Sequence, residues 1–256
     1  MRRIPAVLAA ETEPTQVADG VVRLGTSLVN WYLVASPEGV TVVDAGAPAY
    51  YPQLDRGLAA LGRERSDVRA VLLTHAHADH TGCAERIRTE LDVPVLVHED
   101  DYDLATTSKQ PGKNEANPMP YLRHGHAWKL IGHLATSGKP PRIGEAQTFR
   151  EGETLEVPGR PQALHTPGHT NGHACLWFGE SGALIVGDLL CTLHPLTGER
   201  GPQLMPRAFS RSSGTSLDSL AKIEPLEARV VLVGHGEPWT DGPAEAVRRA
   251  RATGPT

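Results

Sequence analysis

The chain has 256 residues, of which 39% are hydrophobic and 21% are charged, a composition typical of a globular protein with enough apolar residues for a buried core. Its net charge of −5 argues against nucleic acid or an anionic membrane as the main partner, because binding phosphates requires clustered lysine and arginine. We expect a single domain over residues 1–256, since the sequence contains neither a linker nor a low-complexity segment.

The cysteines and the N-terminal residues bear on the cellular location. Cys83, Cys175 and Cys191 are too few and too scattered for a disulfide framework or a thiolate zinc site, so we interpret them as reduced thiols of the cytosol. Residues 1–10 begin with basic residues, but Pro5 and the few apolar residues make a poor signal-peptide core. No stretch provides the ~20 apolar residues that a membrane span needs. The sequence therefore predicts a cytoplasmic protein.

Short apolar runs in the first hundred residues predict alternating strands and helices. Turn residues separate the first three runs, between Gly20 and Asp44, which favours a meander or hairpins. Further along, apolar residues at helical spacing alternate with β-branched runs, which indicates an α/β layered fold. The predicted elements are strands at 21–24, 28–35 and 40–44, a helix at 50–61, a strand at 68–73, a helix at 82–91 and a strand at 93–97.

The pattern changes between Glu99 and Arg150. A loop rich in proline and glycine at 109–120 precedes a predicted helix at 121–137, and long loops in compact domains are usually functional or mobile. We interpret 99–150 as an insertion near the mouth of the functional site that contributes to ligand choice. The alternative is a passive helical cover over the sheet.

The strand pattern resumes after residue 154. Glycine and proline separate short apolar runs, and two amphipathic segments follow them. The predicted elements are strands at 155–157, 162–165, 173–178 and 183–186, a helix at 216–223, a strand at 229–233 and a helix at 243–251.

The residues that follow the strand at 68–73 predict a metal site. His75, His77, Asp79 and His80 lie within six positions, and alternate residues of an extended segment point the same way, so the first three can face one ion. His80 faces elsewhere and can serve a second ion. Imidazole and carboxylate ligands suit Zn²⁺, with Mn²⁺ or Fe²⁺ as alternatives.

At these residues the sequence resembles a known family. His75-Ala-His77-Ala-Asp79-His80 matches the HxHxDH motif of the metallo-β-lactamase superfamily. The resemblance extends over about 20–239 and implies a four-layer αββα sandwich with the insertion at 99–150. It points to the branch that contains glyoxalase II and the lactonases rather than to the true β-lactamases, which generally lack the bridging aspartate.

Three later segments and one earlier residue supply the rest of the family pattern. Thr166-Pro-Gly-His-Thr-Asn-Gly-His173 makes a sharp turn, Asp188 ends an apolar strand, and His235 follows another. By resemblance, one metal is held by His75, His77 and His169, the other by Asp79, His80 and His235, with Asp188 spanning both. The resemblance places His173 outside the ligand set. It gives Asp44 a supporting role behind the metal, although a cap in a βα turn is the alternative reading.

Two metals about 3.5–4 Å apart hold a shared water and lower its pKa towards neutrality. The resemblance therefore implies a binuclear zinc hydrolase in which a bridging hydroxide cleaves an ester, thioester or lactone of a small molecule. Asp79, a ligand with a free oxygen, is the candidate proton carrier to the leaving group.

Other activities of the fold remain as alternatives. An iron-dependent oxidoreductase of the persulfide dioxygenase type would bind a single iron, and a β-lactamase-like amide hydrolase would lack the role given to Asp188. The acyl-homoserine lactonases employ a tyrosine near the ions, for which Tyr32, Tyr51 and Tyr121 are candidates without a matching motif. Arg207 is a candidate for binding a substrate carboxylate, or else a solvated loop residue.

Overall fold

The computed structural model describes residues 12–107, 109 and 112–256. The N-terminal residues considered above as a signal peptide lie outside this part of the chain. Thirteen β-strands account for much of the regular structure that is described. They are β1 Thr15–Ala18, β2 Val21–Gly25, β3 Asn30–Ser36, β4 Gly39–Val43, β5 Val68–Leu72, β6 Val95–His98, β7 Gln147–Phe149, β8 Gln162–His165, β9 Ala174–Phe178, β10 Ala183–Gly187, β11 Leu190–Leu193, β12 Arg200–Leu204 and β13 Val230–Val233.

Six α-helices and four short 3-10 turns complete the described elements. The helices are α1 Gln53–Ala60, α2 Ala84–Leu91, α3 Tyr102–Thr107, α4 Gly125–Thr136, α5 Ser213–Ile223 and α6 Pro243–Thr253. The 3-10 turns are Pro48–Tyr50, Arg65–Asp67, Glu99–Asp101 and Met119–Arg123.

Two sheets face each other. The first has seven strands in the order β1 to β7, of which β4 to β7 run parallel. The second has the order β13-β10-β9-β8, and β10 and β13 are parallel. Parallel neighbours bring their carboxyl ends to the same edge of a sheet. The loops after β4, β5 and β6 therefore lie at one edge of the first sheet, and those after β10 and β13 lie at one edge of the second.

Apolar side chains between the sheets and outside them define four layers. Tyr32 and Leu72 of the first sheet pack with Leu176 and Ile185 of the second. Helices α1 and α2 cover the outer face of the first sheet, and α5 and α6 cover the second. Each fully buried aliphatic side chain contributes about 1.5–3 kcal/mol. The predicted αββα sandwich is confirmed.

Most predicted strands and helices are present with boundaries shifted by a few residues. The predicted strand at 155–157 is wrong, because only Thr154 forms a bridge, to Gln162, before the chain turns. The sequence did not predict β1, β7, β11 and β12. The 147–149 strand extends the first sheet beside β6, so the segment between these strands ends at residue 146.

Cys83, Cys175 and Cys191 are buried free thiols, as expected. None of the helices in the described residues is long and apolar enough to cross a bilayer.

Candidate metal centre

The ends of several strands bring the predicted ligands together. His75 lies just beyond β5, Asp188 directly follows β10, and His235 lies just beyond β13. His169 lies in the turn between β8 and β9. Most of these side chains are buried, with exposed fractions of 3% or less.

The seven side chains form two groups with Asp188 between them. The ligand atoms of His75, His77 and His169 lie within 4.8 Å of one another, as do those of Asp79, His80 and His235. Asp188 Oδ2 lies 3.3 Å from His169 Nε2 and 3.2 Å from His235 Nε2. Asp188 Oδ1 lies 3.5 Å from His80 Nε2. One carboxylate thus reaches both groups.

Hydrogen bonds fix the ring orientation of two of these histidines. His80 Nδ1 donates to the carboxylate of Asp44 at 2.9 Å, and His235 Nδ1 donates to the carbonyl of Leu28 at 2.6 Å. Both partners can only accept, so each ring keeps Nε2 free of a proton when neutral. That nitrogen points at Asp188 in both cases. Such partners behind metal-binding histidines set the tautomer and raise the basicity of the ligand.

The electrostatics at the centre of the cluster call for positive charge. Burial alone would lower the pKa of His80, but the carboxylates of Asp188 and Asp44 raise it to about 10. Burial also opposes ionisation of Asp188, yet His235 and His80 hold the pKa of that carboxyl well below its ordinary value. A buried carboxylate of this kind is stabilised by a nearby cation.

Three buried polar atoms of the cluster have no hydrogen-bond partner among the described residues. They are His75 Nε2, His80 Nε2 and Asp188 Oδ1. Buried polar atoms are nearly always paired in native proteins, because leaving one unpaired costs about 1–3 kcal/mol. The residues therefore fit divalent metal ions, and a set of imidazoles and carboxylates suits zinc, manganese or iron.

The carboxylate of Asp188 lies where a side chain at position 234 would otherwise be. A Cβ atom at Gly234 would lie 2.1 Å from Asp188 Oδ1 and 2.7 Å from His80 Cε1. The glycine that precedes the last histidine is thus required by the packing of the cluster rather than by its own backbone angles.

Two further residues support the ligands, and sequence reasoning did not assign them this role. His173 Nε2 accepts a hydrogen bond from the backbone N–H of Asp188 at 3.1 Å, and burial lowers the pKa of His173 to about 3, so this ring stays neutral. Asp101 Oδ2 accepts from the N–H of Ala76 and from Thr170 Oγ1, and its Oδ1 accepts from the N–H of Gly172. Asp101 therefore ties the loop of His75 and His77 to the loop of His169. A carboxylate shortly after a buried strand, as at Asp188, was the available signal.

Replacing Asp101 with asparagine should loosen both loops. The amide can keep one of the two oxygens as an acceptor, but its NH₂ group must then face a donor, which costs about 1–3 kcal/mol. We expect a lower free energy of unfolding of that size and metal affinity reduced roughly 10- to 100-fold, as for other residues behind metal ligands. Chemical denaturation and competition with a chelator measure the two effects. Asp103→Asn is the control, because Asp103 is exposed on α3 and should change neither value.

A cavity of about 260 Å³ opens over the cluster. Its floor includes His77, Asp79, His169, Asp188 and His235. Its apolar lining comes from Leu130 and Leu134 of α4 and from Met205 and Phe209, and Asn114 also lines it. The side chain of Asp79 is 19% exposed, so it is the most accessible carboxylate of the cluster.

Other predicted candidates lie elsewhere. Arg207, the sequence-based candidate for binding a substrate carboxylate, does not line this cavity. Its guanidinium pairs with Glu115 at 3.2 Å, and it lines a separate cleft together with Thr256. Tyr32 donates to the carbonyl of Val233. The hydroxyl of Tyr51 bonds Glu90, and Tyr121 stacks near His194. None of these tyrosines lines the cavity over the cluster.

Asp44 contacts the metal loop rather than a helix end. Its carboxylate accepts from the N–H and the hydroxyl of Thr74 and from His80 Nδ1, all at 2.9–3.0 Å. Its φ of 56° lies in the left-handed region, which aspartate and asparagine adopt more readily than most residues.

Comparison with known proteins agrees with this geometry. Residues 24–235 match the family model described as the metallo-β-lactamase superfamily. The chain belongs to this superfamily. As a metallo-β-lactamase superfamily hydrolase, it carries clusters of histidine and aspartate that are able to bind metal.

Several relatives resemble the chain over most of its length. The probable metallo-hydrolase YflN of Bacillus subtilis is 27% identical over 235 residues, covering 88% of this chain and 87% of that protein. The hydroxyacylglutathione hydrolase of Rhodospirillum rubrum is 28% identical over 166 residues, 64% of this chain and 47% of that enzyme. Among solved structures, the metallo-β-lactamase family protein TTHA1429 of Thermus thermophilus superposes with a TM-score of 0.65 at 29% identity, covering 93% of this chain and 80% of that one.

Proposed function

We propose that the protein is a hydrolase with two zinc ions per chain that cleaves an ester, thioester or lactone of a small molecule. The observation that carries the proposal is the position of Asp188, whose Oδ2 lies 3.3 Å from His169 Nε2 and 3.2 Å from His235 Nε2, one histidine from each group. When bound, a pair of divalent cations supplies a water of lowered pKa as nucleophile and polarises the carbonyl under attack.

The proposal gives each side chain a role. His75, His77 and His169 hold one cation, and Asp79, His80 and His235 hold the other, with Asp188 shared. Asp79 carries a proton to the leaving group, because its side chain is 19% exposed whereas that of Asp188 is 2% exposed.

The walls of the cavity indicate the kind of acyl group. Leu130, Leu134, Met205 and Phe209 present apolar surface above the cluster, and apolar walls with a few polar groups are typical of small-molecule sites. A substrate with an aliphatic or aromatic acyl group therefore fits better than a highly charged one. Two of these walls belong to α4, which supports the view that the insertion takes part in substrate choice rather than only covering the sheet.

A hydrolysis screen tests the proposal. The purified protein, loaded with zinc, is assayed against lactones, thioesters, aryl esters and β-lactams of graded acyl length. We expect turnover of at least one of the first three classes, with kcat/KM rising by up to roughly fourfold for each methylene that the cavity can bury. Removal of metal with a chelator should abolish turnover, and zinc should restore it.

Metal analysis separates this function from the main alternative. Two zinc ions per chain together with hydrolysis support the proposal. One iron per chain with oxygen uptake would instead assign the oxidoreductase activity, and turnover confined to β-lactams would assign an amide hydrolase. A relative named for hydrolysis of hydroxyacylglutathione makes thioesters the first class to assay.

A further inference from the structure

Helix α4 and the turn before it expose an apolar face beside the cavity. Met119, Trp128, Ile131 and Leu134 have exposed fractions of 63%, 58%, 42% and 41%. We call these four residues the mouth face. Of the large apolar side chains that are exposed in the described residues, only Tyr102 lies outside it. Isolated apolar residues on a surface are ordinary, but a cluster of them marks a site of interaction.

The mouth face is held outward by the packing of the opposite side of α4. Ala127, Leu130 and His133 are buried, and His133 Nε2 lies 2.5 Å from the hydroxyl of Tyr50. Trp128 donates its indole N–H to the carbonyl of Leu122 at 2.8 Å, so the polar end of the ring is already satisfied. Residues 128, 131 and 134 follow one another at intervals of three, which places them along one stripe of the helix. The helix cannot turn this stripe inward without unburying its other side.

The segment of the chain that carries the mouth face is basic. Between Ala116 and Gly144 the sequence contains no aspartate or glutamate. The same segment contains four basic residues, all exposed: Arg123, Lys129, Lys139 and Arg142. The net charge of the whole chain, −5, therefore does not reveal this local excess of positive charge.

We propose that the mouth face docks on an anionic phospholipid bilayer and brings the cavity to the lipid surface. A helix with exposed tryptophan and aliphatic residues on one side and basic residues beside them is the pattern of a segment that lies in the membrane interface. Lysine and arginine near an anionic leaflet add attraction. Leu134 belongs both to the mouth face and to the cavity wall, so the docked surface is continuous with the candidate active site.

Charge complementarity favours lipid over a second copy of the chain. Two mouth faces packed against each other would bring like charges together, which is unfavourable at short range. An anionic surface matches both the apolar residues and the cations. The attachment is peripheral, which agrees with the absence of a spanning helix in the described residues.

Vesicle binding tests this proposal without any substrate, so its outcome is independent of the proposed hydrolysis. The zinc-loaded full chain is sedimented with vesicles of phosphatidylcholine mixed with phosphatidylglycerol, and with vesicles of phosphatidylcholine alone. We expect binding to the mixed vesicles that weakens as salt rises, and little binding to the neutral ones. Lys129→Glu changes the charge by two units, and each unit near such a surface changes the partition coefficient by about fivefold. The variant should therefore lower the partition coefficient by roughly 30-fold.

A second set of variants tests the contribution of the apolar residues of the mouth face to vesicle binding. The double variant Met119→Ser with Ile131→Ser should reduce binding by at least about tenfold, and neither residue lines the cavity. Tyr102→Ser is the matched control, because Tyr102 is 38% exposed outside the face, and its binding should equal that of the wild type. Thermal unfolding confirms that each variant is folded.

Several results would overturn the docking proposal. They are failure of the wild type to bind the mixed vesicles, equal losses in the double variant and in Tyr102→Ser, and binding that Lys129→Glu leaves unchanged. Analytical ultracentrifugation adds another: a wild-type dimer that the double variant converts to monomer would assign the face to a second copy.

Discussion

Asp188→Asn should remove activity and at least one metal ion together. The amide retains the shape of the carboxylate but carries no charge, and its NH₂ group cannot bind a cation. Because loss of a residue behind a metal ligand already costs up to about 100-fold in affinity or activity, loss of the shared ligand should cost more than that. Metal content per chain and kcat/KM on the substrate found in the screen measure the effect.

The fold should survive this substitution, which makes the result interpretable. The residues of β10, the strand that ends just before Asp188, are all buried. Asn at position 188 still offers its backbone N–H to His173. Asp218→Asn, an exposed change on α5, should leave metal content and turnover intact. A metal-free Asp188→Asn protein with full turnover would refute a metal-dependent mechanism.

The candidate ligand positions could be proposed from the sequence because each lies in a local pattern. His75, His77 and His80 follow a buried strand in a spacing that has few structural uses, and Asp188 ends another apolar strand. A carboxylate at the end of a buried strand carries a desolvation cost that demands a partner. The sequence therefore indicated both the residues and the kind of partner they needed.

The partners of the supporting residues were not predictable from such patterns, since these contacts join residues far apart in sequence. Asp101 reaches Gly172 across 71 positions, and His235 reaches Leu28 across 207. Arg207 was likewise not placed by its sequence position, because it pairs with Glu115 and does not line the cavity. Among the described residues, β11 and β12 form a two-stranded sheet of their own. Gly201 and Pro202 of β12 are residue types that strands disfavour, so the composition did not indicate this strand.

Asp44→Ala should destabilise the protein and weaken its metal site at once. The change deletes the acceptor of Thr74 N–H, which is buried, and the acceptor of His80 Nδ1. Leaving a buried donor unpaired costs about 1–3 kcal/mol, so the free energy of unfolding should fall by roughly 2–6 kcal/mol for the two donors together. His80 also loses the partner that orients its ring, and metal affinity should fall about 10- to 100-fold. Denaturant unfolding and chelator competition measure the two losses.

Asp44→Asn distinguishes a role in orienting His80 from a purely structural one. Asparagine tolerates the left-handed backbone at this position, and its remaining oxygen can still accept from Thr74, so most of the stability should be retained. Its NH₂ group, however, can face His80 Nδ1 only as a donor, which leaves the proton of the neutral ring on Nε2, the nitrogen directed at Asp188. A protonated nitrogen cannot bind a cation, so Asp44→Asn should lose metal affinity while keeping its fold. If it binds metal as the wild type does, Asp44 serves the backbone of the loop and the tautomer of His80 is set by other contacts.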